Sequence, residues 1–209
     1  MDEDKPLLIE PHYLGSMEYF SLLLRHKKVI WEVNEHFRKQ TYRNRCYILG
    51  PNGTQLLSVP VIFDNRTCFK DVRIDYHQSW IKDHVRTVRA AYGKAAYFDH
   101  FFELFEAVWS ARPEFLLDLN EQMMTICLKI LQVDIMLVHS ESFEKVPEID
   151  LIDARNRISA KRSYAERHIY TPAPYFQNFG VEFVPNLSLL DVLMCEGIHS
   201  LKIIRRSDS

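Results

Sequence analysis

The sequence has few of the residues from which common ligand-binding motifs are built. It contains 6 glycines in 209 residues and neither G-x-x-x-x-G-K-[ST] nor G-x-G-x-x-G, which excludes the standard phosphate-binding loops. It has no H-E-x-x-H, no C-x-x-C and no close histidine pair on a predicted helix, so we expect no zinc and no other cofactor. A G-x-S-x-G elbow is also missing, which argues against that class of serine hydrolase.

The chain also lacks the marks of secretion and of membrane insertion. Cys46, Cys68, Cys127 and Cys195 are widely spaced, which is typical of reduced thiols in a protein core. No apolar run is long enough to span a bilayer. Residues 1–5 are acidic and do not contain the apolar segment of a signal peptide. We therefore expect a cytoplasmic protein with no membrane span.

Neither sign of charge is in large excess. There are 26 Lys and Arg residues against 28 Asp and Glu residues, and the net charge is −2. This composition argues against a nucleic-acid partner. Only the basic stretches 38–45 and 157–167 favour such a partner, and the second is equally typical of a solvated face.

The pattern of apolar residues predicts an α/β or α+β fold in a single domain of residues 1–209. The strand-rich part, 6–76, is expected to form a mixed sheet with a β-hairpin at Asn52-Gly53. A mainly helical middle, 80–131, is followed by a mixed part, 135–199, that ends in a short strand-helix segment. The predicted strands are 6–10, 28–33, 41–49, 55–63, 71–75, 135–139 and 181–184. The predicted helices are 17–25 with Ser16 as N-cap, 80–92 ended by Gly93, 97–109, 114–131, 149–158 and 187–194 followed by Gly197.

Residues 39–46, Lys-Gln-Thr-Tyr-Arg-Asn-Arg-Cys, place two arginines in a predicted strand. If 41–49 is extended, Arg43 and Arg45 share one face, and Asn44 lies on the opposite, core face. Together with Lys39, the two guanidinium groups are expected to clamp a carboxylate, phosphate or pyrophosphate.

An alternative reading of the same strand needs no ligand. The face that carries the two arginines is then either solvated or paired with Glu32 and Glu35 across the sheet. Both readings remain open on the sequence alone.

Polar residues follow the first two predicted strands, where ligands bind in open α/β sheets. They are His12 and Tyr13 after the first strand, with Glu10 at its end, and Glu35 and His36 after the second, with Glu32 near its end. A Glu and a His beside two arginines would supply a general base and an anion clamp.

Two further groups are candidates for substrate contact. Trp80 and His84 lie four residues apart on one predicted helix and face the same way. His84 is then either a catalytic or substrate-binding imidazole or a hydrogen-bonded core histidine. Near the C-terminus, Asn186 and Asp191 belong to a polar cluster, which is also explained if Asn186 or Ser188 caps the last helix.

Several blocks of residues carry a resemblance to a known family. They are Tyr13-Leu14 with Tyr19-Phe20, Glu32 with 35–37, 39–46, 51–53 with 59–61, 70–74, Trp80 with His84, Tyr92, 115–120, Tyr175 with Phe179, and 185–191 with Gly197. In these blocks and in their order, the chain resembles the WbqC-like family over nearly its whole length. The blocks 39–45 and 185–188 are the most specific. The family often has Pro-Pro or Pro-Trp where Gly15-Ser16 stands here, which predicts a more flexible first loop.

The resemblance implies a role in bacterial surface-polysaccharide (O-antigen-like) biosynthesis. The implied reaction is transfer of an acyl or aminoacyl (glycyl) group to a nucleotide- or lipid-linked amino sugar. Arg43 and Arg45 would hold the diphosphate, His84 or His36 would take the amine proton, and Asn44 would orient the amine. The alternative is a non-catalytic ligand-binding or scaffold protein of polysaccharide assembly, which needs the anion pocket but no general base.

Overall fold

The computed structural model describes residues 4–147 and 150–207. Strands dominate the N-terminal third and helices dominate the middle, which confirms the mixed α/β class. The strands are β1 Leu7–Ile9, β2 Lys28–Trp31, β3 Arg45–Gly50, β4 Gly53–Ser58, β5 Val61–Ile62, β6 Arg73–Ile74, β7 Met136–His139 and β8 Ile152–Asp153. The α-helices are α1 Met17–Leu23, α2 Trp80–Tyr92, α3 Phe98–Ala111, α4 Leu116–Leu131, α5 Leu189–Glu196 and α6 Ser200–Arg206.

Within the described residues, four strands form a parallel sheet in the order β7-β2-β1-β8. Leu7 of β1 lies opposite Val29 of β2 on one side and Ile152 of β8 on the other. The chain therefore runs outward from β1 through β2 to β7 and then returns to the far side of β1. In open sheets of this kind, the ligand crevice lies outside the carboxyl ends where the strand order reverses. Here that point is between β1 and β8.

The two faces of the parallel sheet are packed unequally. Leu7, Ile9, Val29 and Trp31 are fully buried on one face, and every residue of α1 is buried as well. Their alternate neighbours Ile30 and Val138 are only partly buried. The second face is thus left partly open to form a groove.

The helices follow the predicted spacing closely. The predicted segments 17–25, 80–92, 97–109, 114–131 and 187–194 all form helices, with ends shifted by at most two residues. The Ser16 hydroxyl accepts a hydrogen bond from the Tyr19 amide at 3.4 Å. The Ser188 hydroxyl accepts one from the Leu190 amide at 3.2 Å. These side chains supply acceptors that a helix start otherwise lacks.

The predicted strand 41–49 is wrong at its beginning. Residues 41–44 are irregular, and β3 begins only at Arg45. Gln40 has φ 61°, so the chain turns immediately before this segment. Arg43 and Arg45 therefore do not share a strand face. The return strand 55–63 is also interrupted: β4 pairs with β3, whereas β5, beyond Pro60, pairs with β6.

Two predicted elements near the C-terminus are wrong. Ile149 of the predicted helix 149–158 lies outside the described residues, and the described part holds the strand β8 instead of a helix. Pairing with β1 overrides the local helical pattern here. Residues 181–184 form no strand; the side-chain oxygen of Gln177 accepts a hydrogen bond from the Val184 amide at 2.9 Å. None of the helices in the described ranges has the length and apolar character needed to cross a membrane.

Candidate functional site at the carboxyl edge of the parallel sheet

Polar side chains follow all four parallel strands at the edge where their carboxyl ends meet. Glu10 follows β1, Glu32 follows β2, Ser140 follows β7, and Arg155 lies two residues after β8. With His12, these residues form what we call the sheet-edge cluster. Glu10, His12 and Glu32 are buried, so the cluster holds charged groups largely away from water, where electrostatic interactions are stronger.

Glu10 links the two sides of the switch point. One of its carboxylate oxygens accepts a hydrogen bond from the Asn156 amide at 2.9 Å, and the other lies 3.6 Å from His12 Nε2. Burial raises the pKa of Glu10, but contact with His12, the charge of Arg43 and the Asn156 amide together hold it below its usual value. Glu10 is therefore a carboxylate at neutral pH and orients the His12 ring.

The His12 ring is fixed on its faces as well as at Nε2. It stacks on Tyr19 of α1, with ring centroids 4.2 Å apart and planes 22° apart. The Tyr19 hydroxyl donates to the Glu10 carbonyl at 3.2 Å and accepts from Trp31 Nε1 at 3.0 Å. Among the described residues, nothing hydrogen-bonds His12 Nδ1. One ring nitrogen thus faces a carboxylate, and the other is a buried atom that has no hydrogen-bond partner among the described residues.

Gly15 makes this stacking possible. A Cβ at this position would lie 2.5 Å from Tyr19 Cδ1. The first loop, for which the sequence predicts flexibility, consists of buried residues throughout 11–16. Because Gly15 has no side chain, the Tyr19 ring can pack against its backbone. This contact fixes the ring on which His12 stacks.

We expect Gly15→Ala to lower the free energy of unfolding by about 2 kcal/mol, because the Tyr19 ring must shift and give up its contacts. Urea denaturation at pH 7 measures the change. In a Tyr19→Leu background the same substitution should cost much less, since the ring it meets is gone. An equal cost in both backgrounds would show that the effect arises elsewhere.

Glu32 and Arg155 join the ends of β2, β7 and β8. Glu32 accepts hydrogen bonds from the Ser140 hydroxyl at 2.8 Å and the Asn34 amide at 2.9 Å, and Arg155 reaches its second oxygen at 3.2 Å. Arg155 also donates to Asp153 at 2.8 and 2.9 Å. The guanidinium is therefore engaged by carboxylates on two sides, and it fixes the orientation of Glu32.

A groove of about 520 Å³, the sheet groove, lies against the part of this cluster formed by Glu32, Ser140 and Arg155. Leu8, Ile30 and Val138 from three neighbouring strands form its apolar floor. Glu32, Ser140 and Arg155 line its wall at the carboxyl edge, and the exposed Lys28 lines it at the amino end of β2. The volume lies within the ~300–1,000 Å³ typical of small-molecule sites.

Arg43 is placed differently from the predicted strand face. It is fully buried, ion-paired with Glu35, and donates to the His36 carbonyl at 3.1 Å. The exposed Arg38 binds the other oxygen of Glu35 at 2.6 Å. The pairing with Glu35 that the alternative reading allowed is thus present for Arg43, although in the interior rather than on a solvated face.

The other residues of 36–45 do not gather around one ligand space. Lys39 is exposed and lies over the Phe63 ring at 5.3 Å, and His36 is exposed. Asn44 is buried and donates to the Val59 carbonyl at 2.8 Å. Arg45 is half-buried in β3, opposite Ser58.

The histidine of α2 lies in an aromatic environment away from the sheet-edge cluster. His84 Nδ1 lies 2.9 Å from the Trp80 carbonyl, and its ring meets Trp80 edge-on at 5.0 Å. Burial lowers the pKa of His84 to about 4, opposed by the Trp80 carbonyl and Asp83. Tyr13 packs at 6.0 Å from the same ring, and its hydroxyl accepts from Trp109 Nε1 at 2.8 Å.

The side chains of the two C-terminal candidates, Asn186 and Asp191, form hydrogen bonds to residues distant in the sequence. The Asn186 side chain accepts from the Glu18 amide at 2.9 Å and donates to the Glu18 carboxylate at 3.1 Å. Asp191 accepts hydrogen bonds from the hydroxyls of Tyr92 at 2.6 Å and Tyr175 at 2.7 Å. Burial raises the pKa of Asp191, opposed by these tyrosines.

The structure therefore brings together only part of the predicted set. Glu10, His12 and Glu32 meet at the sheet edge, whereas His84, Asn186 and Asp191 belong to separate groups of contacts. Ser140 and Arg155 were missed. Ser140 directly follows the predicted strand 135–139 and could have been found from its position, whereas Arg155 lay inside a segment predicted to be helical. Among the described residues, no cluster of His, Cys, Asp or Glu side chains could hold a metal ion.

Comparison with known proteins gives one match. The model of the WbqC-like protein family matches residues 10–168, which include every residue of the sheet-edge cluster. No curated protein and no solved structure matches the chain.

Proposed function

The chain belongs to the WbqC-like protein family, and from this premise we propose that it is a transferase of surface-polysaccharide biosynthesis. It moves an acyl or aminoacyl group, such as glycyl, onto the amine of a nucleotide- or lipid-linked amino sugar. The observation that carries the proposal is His12, whose Nε2 faces the buried carboxylate of Glu10 and whose Nδ1 has no partner among the described residues. This is the arrangement of a general base oriented by a carboxylate.

The proposed step needs one proton acceptor. The sugar amine attacks the carbonyl carbon of an acyl thioester or ester, so a C–N bond forms and the bond from that carbon to the sulfur or oxygen of the leaving group breaks. His12 Nδ1 takes the proton that the nitrogen loses. The leaving group departs with the bonding electron pair, and the His12 imidazolium returns the proton to it. The carboxylate of Glu10 stabilises the imidazolium that forms.

The sheet groove supports a sugar as the acceptor. Its apolar floor suits a face of the ring, and the Glu32 carboxylate offers oxygen atoms to sugar hydroxyls. Since Arg43 and Arg155 are already engaged by carboxylates, the phosphate groups are expected near Lys28. In this proposal Arg43 does not bind the substrate anion directly. It forms the ion pair with Glu35, and its positive charge helps to keep Glu10 ionised.

The first test is binding. The melting temperature of the purified protein is measured with nucleotide-linked amino sugars, nucleotide-linked sugars without an amine, acyl-CoA and aminoacyl donors. We expect at least one amino-sugar nucleotide to raise it, and Lys28→Ala to weaken that effect. If no compound of these classes shifts the melting temperature, the proposal fails.

The second test is turnover with the ligand pair found in this way. His12→Asn should lower kcat by roughly 100-fold, the lower range for a lost general base, while the sugar still binds. The exposed His36 provides the matched control, and His36→Asn should leave kcat unchanged. Glu10→Gln should show a smaller loss of kcat, because the base remains but loses its orienting charge. Full activity of a folded His12→Asn protein would contradict the assigned role.

The burial of His12 favours a second candidate function. The ring is only 2% exposed, and a binding protein of polysaccharide assembly would need the sheet groove without a base. In that case, His12→Asn, His36→Asn and His84→Asn would each retain ligand binding and would restore polysaccharide in a strain that lacks the protein. The transferase proposal requires His12→Asn to fail in the same complementation.

A further inference from the structure

A second cavity lies between the β3–β4 hairpin and α2, and we call it the hairpin cavity. Its volume is about 250 Å³, below the ~300–1,000 Å³ typical of larger ligands. Leu57 and Ser58 line it from the hairpin, and Trp80, His84 and Thr87 line it from α2. None of these residues belongs to the sheet-edge cluster, so an inference about this cavity does not rest on the proposed transferase activity.

Two buried polar atoms of the cavity wall have no protein partner. Trp80 and His84 are each 3% exposed. Among the described residues, nothing hydrogen-bonds to Trp80 Nε1 or His84 Nε2. Leaving such a group unsatisfied costs about 1–3 kcal/mol. Two of them on adjacent turns of one helix would both be satisfied by a hydroxyl, either of water or of a ligand.

The hydrogen-bonding character of both atoms follows from their surroundings. His84 Nδ1 lies 2.9 Å from the Trp80 carbonyl, and because a carbonyl only accepts, Nδ1 carries the proton. In the neutral ring Nε2 is then an acceptor. Burial keeps the ring neutral by lowering the pKa of His84 to about 4. The indole Nε1 is a donor only.

A donor on Trp80 and an acceptor on His84, whose ring centroids are 5.0 Å apart, select the chemistry of the ligand. A carboxylate or phosphate would satisfy the indole but would leave the His84 lone pair facing another acceptor. An ammonium would do the reverse. A hydroxyl satisfies both with one oxygen, which accepts from Trp80 Nε1 and donates to His84 Nε2. Ser58 and Thr87 supply further hydroxyls in the same wall, which suits a second or third hydroxyl of the same ligand.

We propose that the hairpin cavity is a binding site for a small neutral polyol, of monosaccharide size, with one hydroxyl held between Trp80 Nε1 and His84 Nε2. The Trp80 ring, backed by Tyr76 at 5.8 Å, gives the ligand an aromatic contact. Among the described residues, the cavity walls carry no lysine or arginine and include the carboxylate of Asp83, so the site distinguishes the free sugar from its phosphate.

The test uses ¹⁵N-labelled full-length protein, which contains three tryptophans. Trp80→Phe identifies the indole signal of Trp80. Glucose, N-acetylglucosamine and glycerol are titrated up to about 100 mM, with inorganic phosphate and acetate as anionic comparisons. We expect a saturable shift of the Trp80 indole signal with at least one polyol and none with the anions. The indole signals of Trp31 and Trp109, whose protons are held by Tyr19 and Tyr13, should stay in place.

The partner atom is tested in two ways. In wild-type protein, the ¹⁵N resonance of His84 Nε2 should be that of an unprotonated acceptor and should move when the polyol binds. In His84→Phe the saturable Trp80 shift should be lost, while the signal of Trp31, whose ring is not in contact with His84, reports that the fold is kept. The proposal is overturned if no polyol gives a saturable shift, if phosphate shifts the signal equally, or if His84 Nε2 is unaffected by a polyol that binds.

Discussion

Replacing Glu35 by leucine is expected to lower the free energy of unfolding by about 3–5 kcal/mol, the range found when a buried ion pair loses one partner. Arg43 is fully buried, and Glu35 supplies its only carboxylate contact within 4 Å among the described residues. Without Glu35 the guanidinium keeps only the His36 carbonyl. Urea denaturation of the wild type and of Glu35→Leu at pH 7 measures the loss.

The same carboxylate provides a matched control. Arg38 binds the other oxygen of Glu35 at 2.6 Å, but its side chain is 58% exposed. We expect Arg38→Met to cost no more than about 1 kcal/mol, as for surface pairs in general. The double variant Glu35→Leu/Arg43→Met removes both buried charges and should recover much of the stability. Equal costs for the Arg38 and Glu35 variants would contradict the assignment of the loss to a stranded buried charge.

Arg43 shows why the arginine-rich segment could not be read correctly from the sequence. The prediction assumed that 41–49 is extended, and alternation then placed Arg43 beside Arg45 on a polar face. The segment 41–44 is irregular, so alternation does not apply. The partner, Glu35, lies only eight residues earlier, but the turn at Gln40 that brings the two together has no clear signal in residue type. The spacing of apolar residues along the chain does not indicate that Arg43 and Glu35 form a buried ion pair.

The helices were predictable because each carries its own signal. In α2, Trp80, His84 and Val88 repeat at a spacing of four and are all buried, and Ser188 caps α5 as its position suggested. Strand β8 had no comparable signal. It is two residues long, and it is extended because it pairs with β1. Short strands of this kind depend on the rest of the sheet rather than on their own composition.

The candidate site was predictable to the same extent as the sheet. Glu10 and His12 follow a strand that a short apolar run reveals, and Glu32 follows one that β-branched and aromatic residues reveal. The general rule for open sheets places these residues together. Arg155 enters the same cluster through β8, so an error in that element removed it from the prediction. His84 was found for a different reason, its spacing from Trp80, and the structure places it in another cavity.

Lowering the pH is expected to lower the free energy of unfolding, because His84 is neutral in the folded protein and becomes protonated in the unfolded chain. Burial lowers the pKa of His84 to about 4, whereas the exposed ring of the unfolded chain has a pKa near 6.5. Between these values the unfolded state binds a proton that the folded state does not, so stability falls as the pH falls. A difference of roughly 2.5 pKa units corresponds to about 3 kcal/mol. The loss should begin near pH 6.5 and be largely complete near pH 4.

Other groups titrate in the same range, so the measurement must be a difference between variants. Glu10, with its lowered pKa, adds a further loss at lower pH, and Asp191, with its raised pKa, contributes in the opposite direction above about pH 4.

His84→Asn removes the titrating ring and keeps an amide able to donate to the Trp80 carbonyl. Unfolding free energies of both proteins are measured by urea denaturation from pH 7 to pH 4. We expect the variant to be less stable at pH 7 but to lose about 3 kcal/mol less on acidification. Parallel pH profiles would mean that His84 becomes protonated within the folded protein, and they would remove the basis for treating its Nε2 as an acceptor in the hairpin cavity.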